Sequence, residues 1–163
     1  MATGTIILPI LAATPDATDP PGLVFVNNLP KLVFDAAGSE ICYWTFRMPE
    51  NYASAPVIKC QYAMASATTL GVIIGVEVDN VSDGDAQDLD AESYGTIDNS
   101  VNLTVPGTAG YMDEISLALA NGDATLAAGD LVRLKFRRDH DHADDDATGD
   151  MEVWAVSLEY TTS

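Results

Sequence analysis

The stretch EICYWTFRM, residues 40–48, alternates apolar and polar side chains with a period of two. Cys42 and Trp44 fall on one side of an extended chain, whereas Thr45 and Arg47 fall on the other. An amphipathic helix would instead repeat its apolar side chains about every 3.6 residues. The stretch therefore predicts a β-strand with one face in a core and the other towards solvent.

Six further stretches show the same alternation: PVIKCQYAM, GVIIGVEVDNV, SVNLTVP, DEISLALAN, LVRLKFRR and MEVWAVSLEY. The side chains expected to face inward in them are Ile58, Cys60, Tyr62, Met64, Val72, Ile74, Val76, Val78, Val101, Leu103, Val105, Ile115, Leu117, Leu119, Val132, Leu134, Phe136, Trp154, Val156, Leu158 and Tyr160. The runs LVFVN and KLVF bring the expected number of strands to about eight or nine, and turn sequences such as Asn121-Gly122-Asp123 separate them. No long segment has a helical period. We therefore predict an all-β fold, an antiparallel two-sheet β-sandwich of the jelly-roll type.

The first 22 residues differ from this pattern. TPDATDPPG, residues 14–22, contains three of the eight prolines and is unsuited to a helix or an interior strand. We predict an extended N-terminal arm over residues 1–22 and a jelly-roll domain over residues 23–163. The arm carries a short apolar run, which either completes an edge of its own sheet or packs on a neighbouring chain. The candidate partner-binding residues in this run are Ile6, Ile7, Leu8, Ile10 and Leu11.

The charge of the chain excludes several classes of partner. Twenty-five acidic residues against seven basic ones give a formal net charge of −18. A nucleic acid or an anionic bilayer would be repelled, so neither is expected as a partner. The first apolar run lacks preceding basic residues and is broken by Pro9, which argues against a secretory signal peptide.

Two acidic segments are weak candidates for a divalent cation. In RRDHDHADDD, residues 137–146, His140 and His142 would project to one side of a continuing strand, with Asp144 nearby. The alternative is a solvated hairpin tip. The second segment is VDNVSDGDAQDLDAESYG, residues 78–95. Its carboxylates Asp83, Asp85, Asp88 and Asp90 could surround calcium, or the segment could form one helical turn over a sheet edge. Neither segment matches an EF-hand loop, and no cofactor is expected.

Catalytic motifs are scarce, and we expect no enzymatic activity. The chain has no G-x-S-x-G nucleophile motif and no phosphate-cradling glycine loop. Cys42 and Cys60 are interpreted as buried free thiols that face each other on paired strands. Trp44 and Trp154 are assigned to the core, with a sugar-stacking platform as the alternative. Exposed tyrosines are the better candidates for a contact surface, and these are Tyr43, Tyr52, Tyr94 and Tyr111.

Three basic residues form a cationic stripe on the outer side of one strand: Arg133, Lys135 and Arg137. In so acidic a chain this stripe needs counter-charges close by. They come either from the same sheet, for example Glu77 and Glu159, or from an acidic loop of a neighbouring copy. The stripe is therefore a second candidate for partner binding.

Several longer stretches resemble small β-sandwich virion proteins of tailed bacteriophages. They are YWTFRMPENYAS (43–54), YAMASATTLGVIIGVEV (62–78), GDAQDLDAESYGT (84–96), VPGTAGYMDEISLALAN (105–121), AAGDLVRLKFRRD (127–139) and ATGDMEVWAVSLEYT (147–161). The resemblance covers strand and turn positions from residue 43 onwards, and it implies a jelly-roll domain that assembles as a homotrimer. It implies no site residues.

This resemblance implies one of two roles. One is a capsid decoration (cement) protein that binds the major capsid protein on the outside of the head and stabilises the shell. The other is a receptor-binding or glycan-binding module of a tail fibre or tail tip. Because the chain has no coiled-coil, β-helical or collagen-like shaft, we expect the decoration role, with the glycan-binding module as the alternative. The expected location is the virion exterior, after synthesis in the host cytoplasm.

Overall fold

A computed structural model describes residues 2–120 and 126–163. Within these residues the chain forms thirteen β-strands and one turn of 3₁₀ helix, Ile10–Ala12. The strands are β1 (Thr3–Leu8), β2 (Thr14–Pro15), β3 (Gly22–Val26), β4 (Leu29–Phe34), β5 (Ile41–Arg47), β6 (Tyr52–Met64), β7 (Gly71–Val72), β8 (Ile74–Val81), β9 (Asp98–Asn99), β10 (Leu103–Thr104), β11 (Asp113–Ala118), β12 (Leu131–Arg138) and β13 (Met151–Thr162). The all-β prediction is confirmed.

The strands form two main antiparallel sheets. The first sheet has the order β11-β6-β13-β4-β3, and β1 pairs with β13 beside β4. The second sheet has the order β2-β5-β12-β8-β9. A short separate ladder joins β7 to β10. Strands distant in sequence are neighbours in both sheets, as a jelly roll requires.

The core lies between the two sheets and is formed by the alternate side chains of their strands. On β12, for example, Val132, Leu134 and Phe136 are buried, and the residues between them are partly exposed. The Phe136 ring packs edge-on against Trp44 of its own sheet, with 5.9 Å between the ring centroids, and against Phe34 of the opposite sheet, at 5.6 Å. The period-two pattern therefore predicted the core correctly along most strands.

Three residues do not lie where the sequence predicts. Val101, expected inside, is 77% exposed because β10 begins only at Leu103. Tyr52, expected outside, is buried against Tyr160. Trp154, expected inside, lies at a β-bulge between Val153 and Ala155, which moves it to the outer face of the first sheet. The predicted turn at Asn121-Gly122-Asp123 lies outside the described residues.

Residues 3–8 do not extend away from the sandwich. They pair with β13 from Thr3 opposite Thr161 to Leu8 opposite Val156, and Leu8 and Ile10 belong to the core. Of the two alternatives for this apolar run, the structure shows completion of an edge of its own sheet. The domain boundary between residues 22 and 23 stays a prediction.

Cys42 and Cys60 are free and fully buried. They lie on β5 of the second sheet and β6 of the first, so they are not on paired strands, and that part of the prediction is wrong. Removal from water raises the pKa of both thiols, because burial disfavours the thiolate. Both cysteines therefore act as small apolar core residues.

Candidate functional site

A cavity of about 330 Å³ lies on the outer face of the second sheet and combines aromatic and polar side chains. We call it the tyrosine pocket. It is lined by Thr14, Pro15, Asp16, Ala17, Tyr43, Thr45, Glu92, Tyr94 and Arg133.

The pocket forms because three parts of the chain meet over β5 and β12. These two strands are antiparallel neighbours, with Thr45 opposite Arg133 and Tyr43 opposite Lys135, so all four side chains point outward. The segment around β2 forms one wall, since Thr14 pairs with Tyr43. The loop between β8 and β9 forms the other wall and carries Glu92 and Tyr94.

Arg133 fastens this loop to the sheet. Its guanidinium donates hydrogen bonds to the Leu89 carbonyl at 2.9 Å and the Ala91 carbonyl at 3.2 Å, and it forms an ion pair with Asp79. Asp79 holds the loop as well, because its carboxylate accepts a hydrogen bond from the Ser93 N–H at 3.1 Å. The loop has turns and no helix, so the structure does not show the helical turn that was one alternative for this segment. These contacts hold the segment before Tyr94 against the sheet.

Asp16 organises the opposite wall. Its Oδ1 accepts hydrogen bonds from the N–H groups of Thr18 (2.8 Å) and Asp19 (3.1 Å), and its Oδ2 accepts one from the Tyr43 hydroxyl at 2.8 Å. These donors stabilise the carboxylate and lower the pKa of Asp16. Burial and then Asp16 raise the pKa of Tyr43, so its phenol stays a hydrogen-bond donor.

Tyr94 completes an aromatic pair. Its ring centroid lies 6.3 Å from that of Tyr43, with the planes tilted by 38°, and Lys135 Nζ lies 5.4 Å from the centre of the Tyr94 ring. Burial and then the Glu92 carboxylate raise the pKa of Tyr94 to about 12. Tyr94 is therefore neutral at physiological pH.

Some polar atoms of the pocket remain available to a ligand. In residues 2–120 and 126–163, the structure gives no hydrogen-bond partner to the Tyr94 hydroxyl, the Thr45 hydroxyl or the Glu92 carboxylate. The positive charges beside them are already neutralised, because Arg133 pairs with Asp79 and Lys135 with Glu77. The pocket thus offers aromatic faces, free hydroxyls and a carboxylate acceptor, without an uncompensated cation.

The cationic stripe has its counter-charges on its own sheet. Lys135 and Arg137 each lie 3.3 Å from Glu77 of β8, while Arg133 pairs with Asp79 of the same strand. Glu159, the second suggested partner, lies on β13 of the first sheet and does not contact the stripe. Arg133 lines the tyrosine pocket, whereas the role of the stripe in partner binding stays a prediction.

A second cavity, of about 440 Å³, lies on the first sheet where β13 bulges. We call it the apolar groove. Since β4 pairs with β13 only up to Val153 and β1 pairs only from Val156, the bulge leaves a gap between them. The groove is lined by Ile7, Leu8, Pro9, Ile10, Leu11, Leu29, Pro30, Gln61, Trp154, Ala155 and Val156. Ile6, also predicted for partner binding, instead packs partly buried against the core.

The two tryptophans do not form a joint sugar-stacking platform. Trp44 is buried and donates its Nε1–H to the Pro9 carbonyl at 2.9 Å. Trp154 faces outward on the other sheet, with Lys31 Nζ 5.2 Å from its ring centre. With mostly aliphatic neighbours, Trp154 has few polar groups for orienting a sugar.

The histidine segment shows no metal centre. His140 contacts Ser39 and Asp141, and the His142 ring accepts a hydrogen bond from the Asp144 N–H at 3.2 Å. Across the described ranges, no group of three His, Cys, Asp or Glu side chains could hold a metal ion, in this segment or around residues 83–90.

Solved structures similar to this chain include carbohydrate-binding modules. The C-terminal CBM6 of LamC, a marine laminarinase from Zobellia galactanivorans, has a TM-score of 0.54 and 11% identity, over 98% of this chain and 100% of that one. The xylan-binding module CBM15 has a TM-score of 0.55 and 8% identity, over 99% of both chains. CBM35 from Cellvibrio japonicus Abf62 has a TM-score of 0.52 and 8% identity, over 98% of this chain and 99% of that one. These likenesses show the β-sandwich fold.

No family model and no curated protein matches the chain. The β-sandwich implied by the phage resemblance is thus confirmed, whereas the phage relationship itself stays a prediction. No helix within the described residues is long and apolar enough to span a membrane.

Only part of the tyrosine pocket was predictable from the sequence. Tyr43, Tyr94 and Arg133 were singled out by their outward positions or their charge, but as members of separate groups. Asp16 and Glu92 were missed, since each was one acid among many in a loop. The available signal was that Tyr43 and Arg133 both point outward from their strands. It could be used only once β5 and β12 were known to be neighbours.

Proposed function

We propose that this protein is a non-catalytic carbohydrate-binding β-sandwich and that the tyrosine pocket holds the sugar. The observation that carries the proposal is the pair of Tyr43 and Tyr94 beside two hydroxyls and a carboxylate to which the described part of the chain gives no hydrogen-bond partner. A sugar ring has an apolar C–H face that packs on aromatic rings and hydroxyls that need donors and acceptors. The fold shared with carbohydrate-binding modules, one of them described as xylan-binding, supports this function.

The charges of the pocket favour a neutral glycan. Asp16 and Glu92 are carboxylates, whereas Arg133 and Lys135 are already paired with Asp79 and Glu77. The net charge of −18 adds long-range repulsion of any polyanion. We therefore expect weaker binding of uronate-rich or sulfated polysaccharides than of neutral xylans and β-glucans.

The direct test is affinity electrophoresis of the purified protein in gels containing soluble neutral or uronate-rich polysaccharides. Tyr94→Ala should weaken retardation by a neutral polysaccharide about tenfold, as expected for loss of one central aromatic contact. Tyr111→Ala is the matched control, because Tyr111 is 65% exposed outside the pocket. Absence of retardation by every neutral polysaccharide, or an equal loss in both variants, would contradict the proposal.

Capsid decoration is the second candidate function, and it rests on a different part of the surface. The apolar groove and the strongly exposed Ile7, Leu11 and Leu29 around it are suited to contact with another protein, such as a major capsid protein. On this hypothesis the protein is a trimer on the virion exterior. Immunogold labelling of virions should then decorate the head, and label restricted to the tail end would contradict it.

A further inference from the structure

The hairpin of β3 and β4 carries a concentrated exposed apolar surface. β3 is the last strand of the first sheet, and all five of its residues are exposed. Leu23 is 50% and Phe25 is 59% exposed on one face, while Val24 is 39% and Val26 38% exposed on the other. The apolar surface therefore lies on both faces of a sheet edge, where the side chains of a second paired β-strand would pack beside it on both faces.

The hairpin turn determines which backbone groups point away from β4. Asn27 and Asn28 have φ angles of 50° and 67°, as in the two-residue turns that join hairpin strands. Val26 and Leu29 flank this turn and are directly opposite, so they form the first hydrogen-bonded pair. Because such pairs alternate along an antiparallel ladder, the N–H and C=O groups of Leu23 and Phe25 point to the free edge.

These two residues make the edge self-complementary. If two copies of β3 meet antiparallel with Val24 opposite Val24, Leu23 of each copy faces Phe25 of the other. Both residues can then exchange N–H and C=O hydrogen bonds, which gives four bonds about a two-fold axis. Pro21, without an N–H, limits the ladder on one side, and the turn limits it on the other. This register satisfies all the free groups of Leu23 and Phe25.

The charge distribution favours a second copy as the occupant. Residues 20–30 contain no Asp, Glu, Lys, Arg or His, in a chain with 25 acidic residues. Two copies that approach through most other surfaces bring like charges together, whereas the β3 edges meet without this repulsion. We propose that the protein forms a two-fold dimer in which two β3 edges pair antiparallel about Val24 and join the first sheets of both copies.

A cysteine at the two-fold axis tests this register. The two copies of residue 24 would form a non-hydrogen-bonded pair, with Cα atoms about 4.5 Å apart, within the range of a disulfide. Val24→Cys should therefore give a covalent dimer under mild oxidation. Val101→Cys is the matched control, since Val101 is a 77% exposed valine elsewhere, and it should stay monomeric in denaturing gels. The native Cys42 and Cys60 are buried and should not react.

Sedimentation velocity of the full chain gives the complementary measurement. The wild type should sediment as two copies, and Val24→Lys should raise the dimer dissociation constant at least about tenfold, because two lysines meet at the axis. Val101→Lys should sediment like the wild type. A monomeric wild type, a three-copy mass, unchanged assembly of Val24→Lys, or equal cross-linking of both cysteine variants would overturn the proposal.

Discussion

Arg138 organises the acidic loop of residues 139–150, for which the sequence suggested a solvated hairpin tip as one alternative. It is 1% exposed and forms an ion pair with Asp145, which is also 1% exposed at the side chain. Its guanidinium also donates to the carbonyls of Ala147 (2.6 Å) and Gly149 (2.7 Å). A buried guanidinium stays stable only while these acceptors remain. The acidic segment around residues 139–150 is therefore held by one internal cation.

We predict that Asp145→Ala lowers the free energy of unfolding by roughly 3–5 kcal/mol, because it leaves the buried charge of Arg138 unpaired. Asp141→Ala, at an 81% exposed side chain in the same loop, should change it by less than about 0.5 kcal/mol. Urea denaturation followed by circular dichroism measures both. Similar losses in the two variants would mean that the ion pair contributes no special stability.

Tyr94 gives a second residue-level prediction, on alkaline pH. Its pKa is raised to about 12 from 10.0, chiefly by burial, so the folded state favours the neutral phenol. The contribution of the neutral Tyr94 phenol to the stability of the folded state is complete below pH 10 and is lost as the pH rises towards 12. In a spectrophotometric titration, the difference between the wild type and Tyr94→Phe should therefore show a midpoint near 12. A midpoint near 10 would place Tyr94 in free solvent.

At the scale of elements, the bulge in β13 separates what the sequence predicts from what it does not. The alternation is correct for Val156, Leu158 and Tyr160, but the extra residue at the bulge reverses the phase for Trp154. A bulge depends on the partner strand β6 and on the ends of β1 and β4, which no local pattern reveals. The presence of the strands was predictable because the alternation of side chains is a local pattern. The outward position of Trp154 and the apolar groove were not predictable, because both depend on the bulge.

β1 provides the prediction at this scale. Leu8 is 3% exposed and belongs to the core, whereas its neighbour Ile7 is 67% exposed on the outer face. We expect Leu8→Ala to destabilise the protein by about 2–5 kcal/mol and Ile7→Ala to have little effect. Thermal denaturation of both variants measures this. Equal and small effects would indicate that β1 contributes little to the stability of the sandwich and would contradict an integral β1.

At the scale of the whole molecule, the tyrosine pocket exists only through assembly of distant segments. Asp16, Tyr43, Glu92 and Arg133 come from four parts of the chain, and the order β2-β5-β12-β8 brings them to one face. Sequence periodicity predicts that such strands form but not which of them are neighbours. The fold class was therefore predictable from residues alone, while the candidate site required the topology.

The most direct test of carbohydrate binding in this pocket is nuclear magnetic resonance titration of the labelled protein with a neutral xylan or β-glucan oligosaccharide. Amide shifts should concentrate at residues 14–17, 43–45 and 92–94, which surround Tyr43 and Tyr94. Tyr94→Ala should remove most of them. Shifts confined to the apolar groove around Trp154, or no saturable shift with any neutral oligosaccharide, would contradict the account.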